Sequence, residues 1–313
     1  MAKRTYDRLS VEDFGRHLLD VNELDPIYVA LWRCLKMEDG YSWSQAARWM
    51  VAYWCYYNAG VASYMAGFEG DEFWEYMLHA AHNSNLAPSP VARPGHHNGD
   101  WPRGHERRHF RGKQAVTGIC ELIKRYGSRP EDMVTAMTEG DMDYESVARR
   151  ARQHRGFGPW ISFKIADMVD RVLEQRVDFT QAQVFMFTDP VKAALMLWRL
   201  RAGLPETAQP RDQQGAITQV VEYLTEHFSG YTAPPAHDRP VGLQEVETIL
   251  CKWKSHMNGH YPLWNDTDEI NASLREWSSV APLASPFLVN MPGRKNSADE
   301  MRPRESHSIG STA

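Results

Sequence analysis

Residues 145–173, ESVARRARQHRGFGPWISFKIADMVDRVL, read as two helical patterns joined by GFGP, Gly156 to Pro159. So short a connection does nothing except fold the second helix back on the first. Its two glycines, Gly156 and Gly158, let the bend approach another molecule closely. The second helix presents unpaired N–H groups at its start, and such groups suit a phosphate. Arg149, Arg150, Arg152 and Arg155 add positive charge at the same point. An ordinary αα-hairpin explains the two glycines by themselves, so the surrounding sequence has to decide.

Immediately upstream, RGHERRHFRGKQ, Arg103 to Gln114, holds five arginines or lysines and two histidines in a chain of net charge −5. The imbalance is regional. Residues 1–92 carry a net −5, residues 93–176 a net +4 and the remainder a net −4. Charge runs are usually solvated faces. Arginine segregated around a helical bend is also the electrostatic footprint of a phosphate-binding surface.

Length and composition exclude several classes. With 313 residues and 42% hydrophobic content the chain buries a substantial core. Cys34, Cys55, Cys120 and Cys251 lack C-x-x-C spacing, which argues against a disulfide framework and a thiolate metal cluster and fits a reducing cytoplasm. The N-terminal residues mix charged and apolar positions, so no secretory signal is expected. The most apolar run, Trp49 to Phe68, is interrupted by Asn58, Ser63 and two glycines and carries aromatics in its middle. It reads as the central helix of a large core and not as a membrane span.

Helix signals dominate elsewhere. Ser10 caps an acidic first turn, Pro26 follows Asp25 at a first helical position, and Ser42 or Ser44 opens the apolar helix. Further helices are expected at 71–83, 112–126, 129–137, 144–154, 160–174, 190–201, 216–227, 244–258 and 266–278. VDFTQAQVFMF, Val177 to Phe187, has the only strand character. Asn83 to Gly104 reads as a long functional loop. The expectation is an all-α fold, one domain over 1–292 with the hairpin at about 143–174, and a polar, disordered tail over 293–313.

GFGPWISFKIADMV resembles the hairpin motif of the helix-hairpin-helix DNA glycosylase superfamily, in which G-x-G-P-W precedes an apolar helix. VFMFTDPVKAALML, Val184 to Leu197, resembles the segment where those enzymes deliver an aspartate at the start of a helix. Asp189 matches it. The resemblance implies that Asp189 faces the target nucleoside and stabilises developing positive charge; a plain helix cap is the other reading. Lys164 and Asp167, one turn apart, form either a structural ion pair or part of the site.

DPIYVAL at Asp25, YWCYYNAGVASYM at Tyr53, RGHERRHFRG at Arg103, FGPWISFKIADM at Phe157 and ETILCKWKSHMNGHYP at Glu247 together are similar to the phage α-glutamyl/putrescinyl thymine pyrophosphorylases, or amino acid:DNA transferases. The likeness spans about residues 10–290. It implies a step in thymidine hypermodification in the cytoplasm of an infected bacterial host. A partner kinase pyrophosphorylates 5-hydroxymethyluracil in DNA, and the transferase displaces pyrophosphate from the methylene carbon with an amine, such as an amino acid. A polyanionic leaving group asks for clustered cations. Arg107, Arg108, His109, Arg111 and Lys113 are therefore expected to bind pyrophosphate or flank the DNA, with Arg103, Arg155, Gly156, Gly158 and Trp160 on the DNA. Tyr57, Trp54 and Tyr56 read mostly as core, with stacking on an extruded base as the other option.

The amine nucleophile has to lose a proton, which asks for a carboxylate or histidine. Asp189 is one option. In ETILCKWKSHMNGH, Glu247 and Cys251 share a helix face, as do Lys252 and His256. Lys252 reads as an anion anchor, His256 or His260 as a base, and Glu247 as a substrate or pyrophosphate contact. Zinc on Cys251, His256 and His260 lacks a fourth ligand. Magnesium often accompanies pyrophosphate, and no Asp-rich motif demands it. The same residues also fit a true DNA glycosylase or a non-catalytic DNA-binding module.

Overall fold

The computed structural model describes residues 6–85, 101–180 and 187–281. They form thirteen α-helices: α1 (Val11–Asp20), α2 (Pro26–Lys36), α3 (Trp43–Tyr56), α4 (Ala59–Met65), α5 (Gly70–Asn83), α6 (Gly112–Tyr126), α7 (Asp132–Thr138), α8 (Tyr144–Arg152), α9 (Pro159–Arg171), α10 (Thr188–Arg201), α11 (Gln213–His227), α12 (Leu243–Met257) and α13 (Asn265–Trp277). The all-α expectation holds. The one ladder among the described residues pairs Ser84–Asn85 in parallel with Trp101–Pro102. Of the stretch with strand character, Asp178 makes a single bridge to Asp143, and 181–186 lie outside the described residues, as do most of the 83–104 loop and the whole 293–313 tail. No described helix is long and apolar enough to cross a membrane.

Local chemistry starts the helices where the sequence predicts. Ser10 accepts from the Asp13 N–H at 3.1 Å, and Ser42 forms a full capping box with Gln45. The apolar run from Trp49 does not continue as one helix, however. Tyr57 takes a left-handed conformation with φ of +51°, and Asn58 then caps α4 by accepting from the Val61 N–H at 2.9 Å. A cap residue inside an apolar run is what breaks it. At the break the Tyr56 carbonyl accepts from the Gly104 N–H at 2.8 Å, which fixes the start of the cationic segment against α3.

Two apolar clusters result. One gathers α2 to α9 and α13 around Trp49, Trp54, Phe73 and Phe163, all fully buried. The other gathers α1 and α10 to α12 around Phe14, Phe228, Ile249 and Trp253. Helices α9 and α12 belong to different clusters, and charged and polar side chains meet between them. Lys164 of α9 donates to Thr248 of α12 at 3.3 Å, and Arg171 of α9 lies 3.4 Å from Glu245 of α12.

Candidate active site

Helices α8 and α9 form the hairpin that GFGP predicts. Gly156 sits at φ of +83°, and a side chain there would strike the Phe110 ring at 2.6 Å. Its carbonyl accepts from Arg107, whose NH1 lies 2.9 Å away, while the Arg107 Nε donates to the Cys55 carbonyl at 3.0 Å. The same guanidinium lies 4.4 Å from the Phe110 ring centre and 5.2 Å from that of Phe157. One arginine thus locks the cationic segment onto the bend. Burial pushes its guanidinium down to about 10.

The outer glycine behaves differently. Gly158 is the N-cap of α9, is exposed, has no side-chain cap and has open space where a side chain would stand. Helix α6 also begins without a side-chain cap, at Arg111, and its first two turns lie against the bend. Side chains added at Gly118 and Gly156 would come within 3.0 Å of the Arg155 carbonyl and 3.9 Å of Gln114 respectively. Two helix N-termini without a side-chain cap therefore flank one bend, each with the positive end of its dipole and first-turn N–H groups outside the helix ladder. Arg108, His109, Arg111 and Lys113 are exposed on the intervening segment, and Arg155 is exposed with Glu121 at 3.7 Å.

Two members of the expected cationic surface are interior instead: Arg103 is 3% exposed and Arg107 6%. Packing with Phe110 and Phe157 takes Arg107 out of solvent and makes it a tie between segments. Arg150 is held by the carbonyls of Met137 and Asp141 at 3.0 and 2.9 Å, so it secures the turn before α8. Trp160 is half-buried and meets Tyr57 edge-on, with ring centres 5.0 Å apart. The left-handed break in the α3–α4 run is what brings Tyr57 to that position.

One turn along α9 from Trp160, Lys164 begins a buried ionic floor. Lys164 Nζ is 3.5 Å from Asp25, 3.8 Å from Asp167 and 3.3 Å from Thr248 Oγ1. Arg171 NH1 is 2.6 Å from Asp25 and 3.4 Å from Asp167, and its Nε donates to the Pro234 carbonyl at 2.8 Å. Burial works against ionisation of Asp25, but Lys164, Arg171 and Lys252 outweigh it and hold the carboxyl below its usual range. Asp167 goes the other way, because burial exceeds the help from Arg171 and Lys164. Glu247 is raised to about 7 by burial, opposed by Lys164 and reinforced by Asp167 and Asp25. Lys164 itself is raised despite burial, since Asp25, Asp167 and Glu247 surround it.

Helix α12 distributes its candidate residues unevenly. Glu247 and half-exposed Cys251 face the floor, and burial pushes the Cys251 thiol up to about 12. Lys254 follows Glu247 by seven residues and shares its helix face, which places its partner Asp189 on the same side of α12 as Glu247. Asp189, in the first turn of α10, is 61% exposed in its side chain and pairs with Lys254 at 2.6 Å. Lys252 holds the carbonyls of Glu23 and Leu24 at 3.2 and 2.5 Å and Asp266 at 2.6 Å. Its three short contacts make it the tie between α12 and the α1–α2 connection.

His256 is not a solvated histidine. It is 1% exposed between Tyr6 and Phe14, its Nε2 accepts from the Leu9 N–H at 3.1 Å, and its Nδ1 lies 2.8 Å from the Tyr261 carbonyl. An accepting Nε2 makes Nδ1 the donor, so both ring nitrogens are used in the neutral form. Neither is left for proton transfer. His260 is exposed, beyond the end of the helix. Among the described residues no His, Cys, Asp and Glu are grouped as a metal would need.

Three residues of the floor and its rim carry no sequence signal of their role. Asp25 is visible there only as the residue before Pro26, and Arg171 only as one more basic residue on α9. Glu106 lies within RGHERR and is exposed, yet surrounding atoms and Asp266 raise its carboxyl. The Glu106 carboxyl and Tyr57 both stand against Gly104, and the charge of Glu106 bears on the Tyr57 phenol. An open groove of about 560 Å³ lined by Arg48, Glu69, Arg129 and Glu131 shares no residue with this floor.

The ionic floor gives stability a specific pH dependence. Glu247 is raised on folding, so its contribution is complete below its unfolded value and is lost as pH rises through about 7. Asp25 is depressed, and its contribution is lost only as pH falls below the ordinary carboxylate range. Unfolding free energy should therefore gain about 2 kcal/mol from the Glu247 proton between about pH 8 and about pH 5.5. Chemical denaturation across that range checks it, with Glu247→Gln as the control that lacks this gain and keeps only the smaller one from Asp167.

Comparison with known proteins bears directly on this arrangement. The amino acid:DNA transferase family model matches residues 20–260, from before Asp25 through the whole of α12. The chain belongs to the amino acid:DNA transferase family. A glycinyltransferase of Pseudomonas phage PaMx11 is 47% identical over 299 residues, covering 92% of this chain and 98% of that protein. A putrescinyltransferase of Delftia phage PhiW-14 is 24% identical over 266 residues, covering 83% and 77%. This transferase is a DNA-modifying enzyme that moves an amino acid or amine to DNA, and the hairpin, the cationic segment and the ionic floor all fall within the matched span.

Proposed function

We propose that the enzyme transfers glycine to the methylene carbon of pyrophosphorylated 5-hydroxymethyluracil in phage DNA, within the infected host's cytoplasm, after a DNA base kinase has installed the pyrophosphate. The observation that carries the reading is the juxtaposition at one bend of two uncapped helix N-termini with exposed Arg108, Arg111, Lys113 and Arg155. A polynucleotide backbone and a departing pyrophosphate both need concentrated positive charge and N–H donors. Glycine is favoured as donor because the relative named a glycinyltransferase matches nearly the whole chain at 47% identity.

In this reaction the amine nitrogen forms the C–N bond to the methylene carbon while the C–O bond to pyrophosphate breaks. The leaving group departs with the electron pair, and the amine's surplus protons pass to a base and to solvent. Cations at the bend stabilise the charge that builds on the leaving oxygens. Asp189, on the Glu247 side of α12, is the carboxylate that faces the nucleoside in this reading.

The test is direct. DNA carrying the pyrophosphorylated base is incubated with enzyme and glycine, with and without magnesium, then digested to nucleosides and weighed. A glycinylated thymidine with stoichiometric pyrophosphate release is the expected result. Abasic sites would indicate a glycosylase, and unaltered DNA that binds in a salt-sensitive manner would indicate a binding module; either overturns the proposal.

A further inference from the structure

We propose that Glu247 is the catalytic base that takes the proton from the incoming amine; the inference rests on the transfer reaction proposed above and deepens it. Among the described residues six carboxylates are buried: Glu23, Asp25, Asp167, Asp170, Glu245 and Glu247. The first five each have a cationic or histidine nitrogen within 4 Å, the longest of their closest contacts being 3.5 Å from Glu23 to His17. Glu247 has none. Its one hydrogen bond among the described residues is from the Thr248 hydroxyl at 3.3 Å, a long and weak contact from the next residue.

A carboxylate buried without a cation is costly unless something restores its balance. An arriving ammonium does so. The ammonium form of glycine brings the positive charge that the site lacks and places its N–H against the carboxylate. Transfer of one proton then leaves a neutral Glu247 and an amine with a free electron pair. That pair forms the bond to the methylene carbon as pyrophosphate leaves, and the second surplus proton goes to solvent.

The groups facing Glu247 are consistent with this task. Its charge interacts with those of Lys164 and Asp167 of α9, Asp25 at the start of α2, Tyr144 of α8 and Cys251 of α12, and Cys251 in turn with Asp189 and Lys254. Lys164 is committed to Asp25, Asp167 and Thr248, so it moderates the carboxyl without pairing with it. The resulting value of about 7 suits proton exchange near neutrality. A pyrophosphate contact, the role the sequence pattern suggests for Glu247, would bring two anions together in a buried site.

The experiment follows kcat against pH in the wild-type enzyme at saturating glycine, and again with aminooxyacetate, whose amine is already unprotonated at neutral pH. With glycine, the rate should rise and level off by about pH 8, because Glu247 is ionised by then. With aminooxyacetate it should be nearly flat. A glycine rate that instead climbs on toward the ordinary ammonium range, about pH 10, overturns the assignment, since the free amine and not an enzyme base would then set it. Glu247→Gln should lower glycine transfer by about 10²–10⁴-fold and aminooxyacetate transfer by far less. Equal loss with both donors would mark Glu247 as structural. Absence of any transfer by the wild type would refute the underlying reaction and not the choice of base.

Discussion

Arg171→Leu is expected to destabilise the protein by about 3–5 kcal/mol, the range for removing one partner of a buried charge group. Arg171 is 3% exposed and touches Asp25, Asp167 and Glu245, so its loss leaves carboxylates with Lys164 and Arg239 as the remaining nearby cations. For a chain of this size that corresponds to a fall in Tm on the order of 10 °C. Hydrophobic contact does not explain such a loss, because leucine fills much of the same space. Two further measurements separate charge from packing. The penalty should shrink toward pH 5, as protons replace the missing cation, and Asp167→Asn should recover part of it in the double variant. A loss under about 1 kcal/mol, or one independent of pH, would show that the ionic floor is not what joins α9 to α12.

Asp189→Asn is expected to lower transfer by at least about 10²-fold while leaving DNA affinity nearly unchanged. The magnitude is diagnostic because the structural alternative predicts so little. Asp189 is exposed, and its pairing with Lys254 is a surface ion pair, worth about 0–1 kcal/mol. A helix-capping role adds about 0.5–2 kcal/mol and would appear in stability, not in turnover. Single-turnover kinetics with a thermal melt of the same variant separates these cases. Full activity would remove Asp189 from the chemistry and leave it as a first-turn acid of α10.

How much of this arrangement is legible in the sequence depends on how far apart the interacting residues lie. Ser10, Ser42, Asn58 and the GFGP bend act on residues within a few positions, and the helix starts and the hairpin follow from them. Long-range contacts decide the rest. His256 shares a helix face with Lys252, but Tyr6 and Leu9, some 250 positions away, determine that it is walled in. Arg107 and Arg108 are adjacent and chemically identical; only the packing of Phe110 and Phe157 sends the first inside. The ionic floor unites Asp25, Lys164, Arg171 and Glu247 from three helices, and no spacing rule connects them. Glu106 is hidden for the opposite reason, since one acid among five cations reads as a counter-charge until Tyr57 is seen beside it.

The division of labour between bend and floor also explains why the chain tolerates a net negative charge while acting on DNA. Acidic residues outnumber basic ones over 1–92 and 177–313, whereas the exposed cations of the 103–113 segment are concentrated where two helices begin. Local potential, and not the total, governs contact with phosphate at physiological salt, because charges beyond roughly 8–10 Å are screened.

The most direct measurement of the central claim is the salt dependence of DNA binding by the enzyme in which Arg108, Arg111 and Lys113 are all replaced by alanine. All three side chains are exposed, so the substitutions should leave the fold intact. If they neutralise phosphates beside the bend, the slope of log K against log salt concentration should become shallower by about 2–3, at about 0.9 for each phosphate that is no longer neutralised. An unchanged slope and affinity in a folded triple variant would place the DNA elsewhere on the molecule and contradict the account.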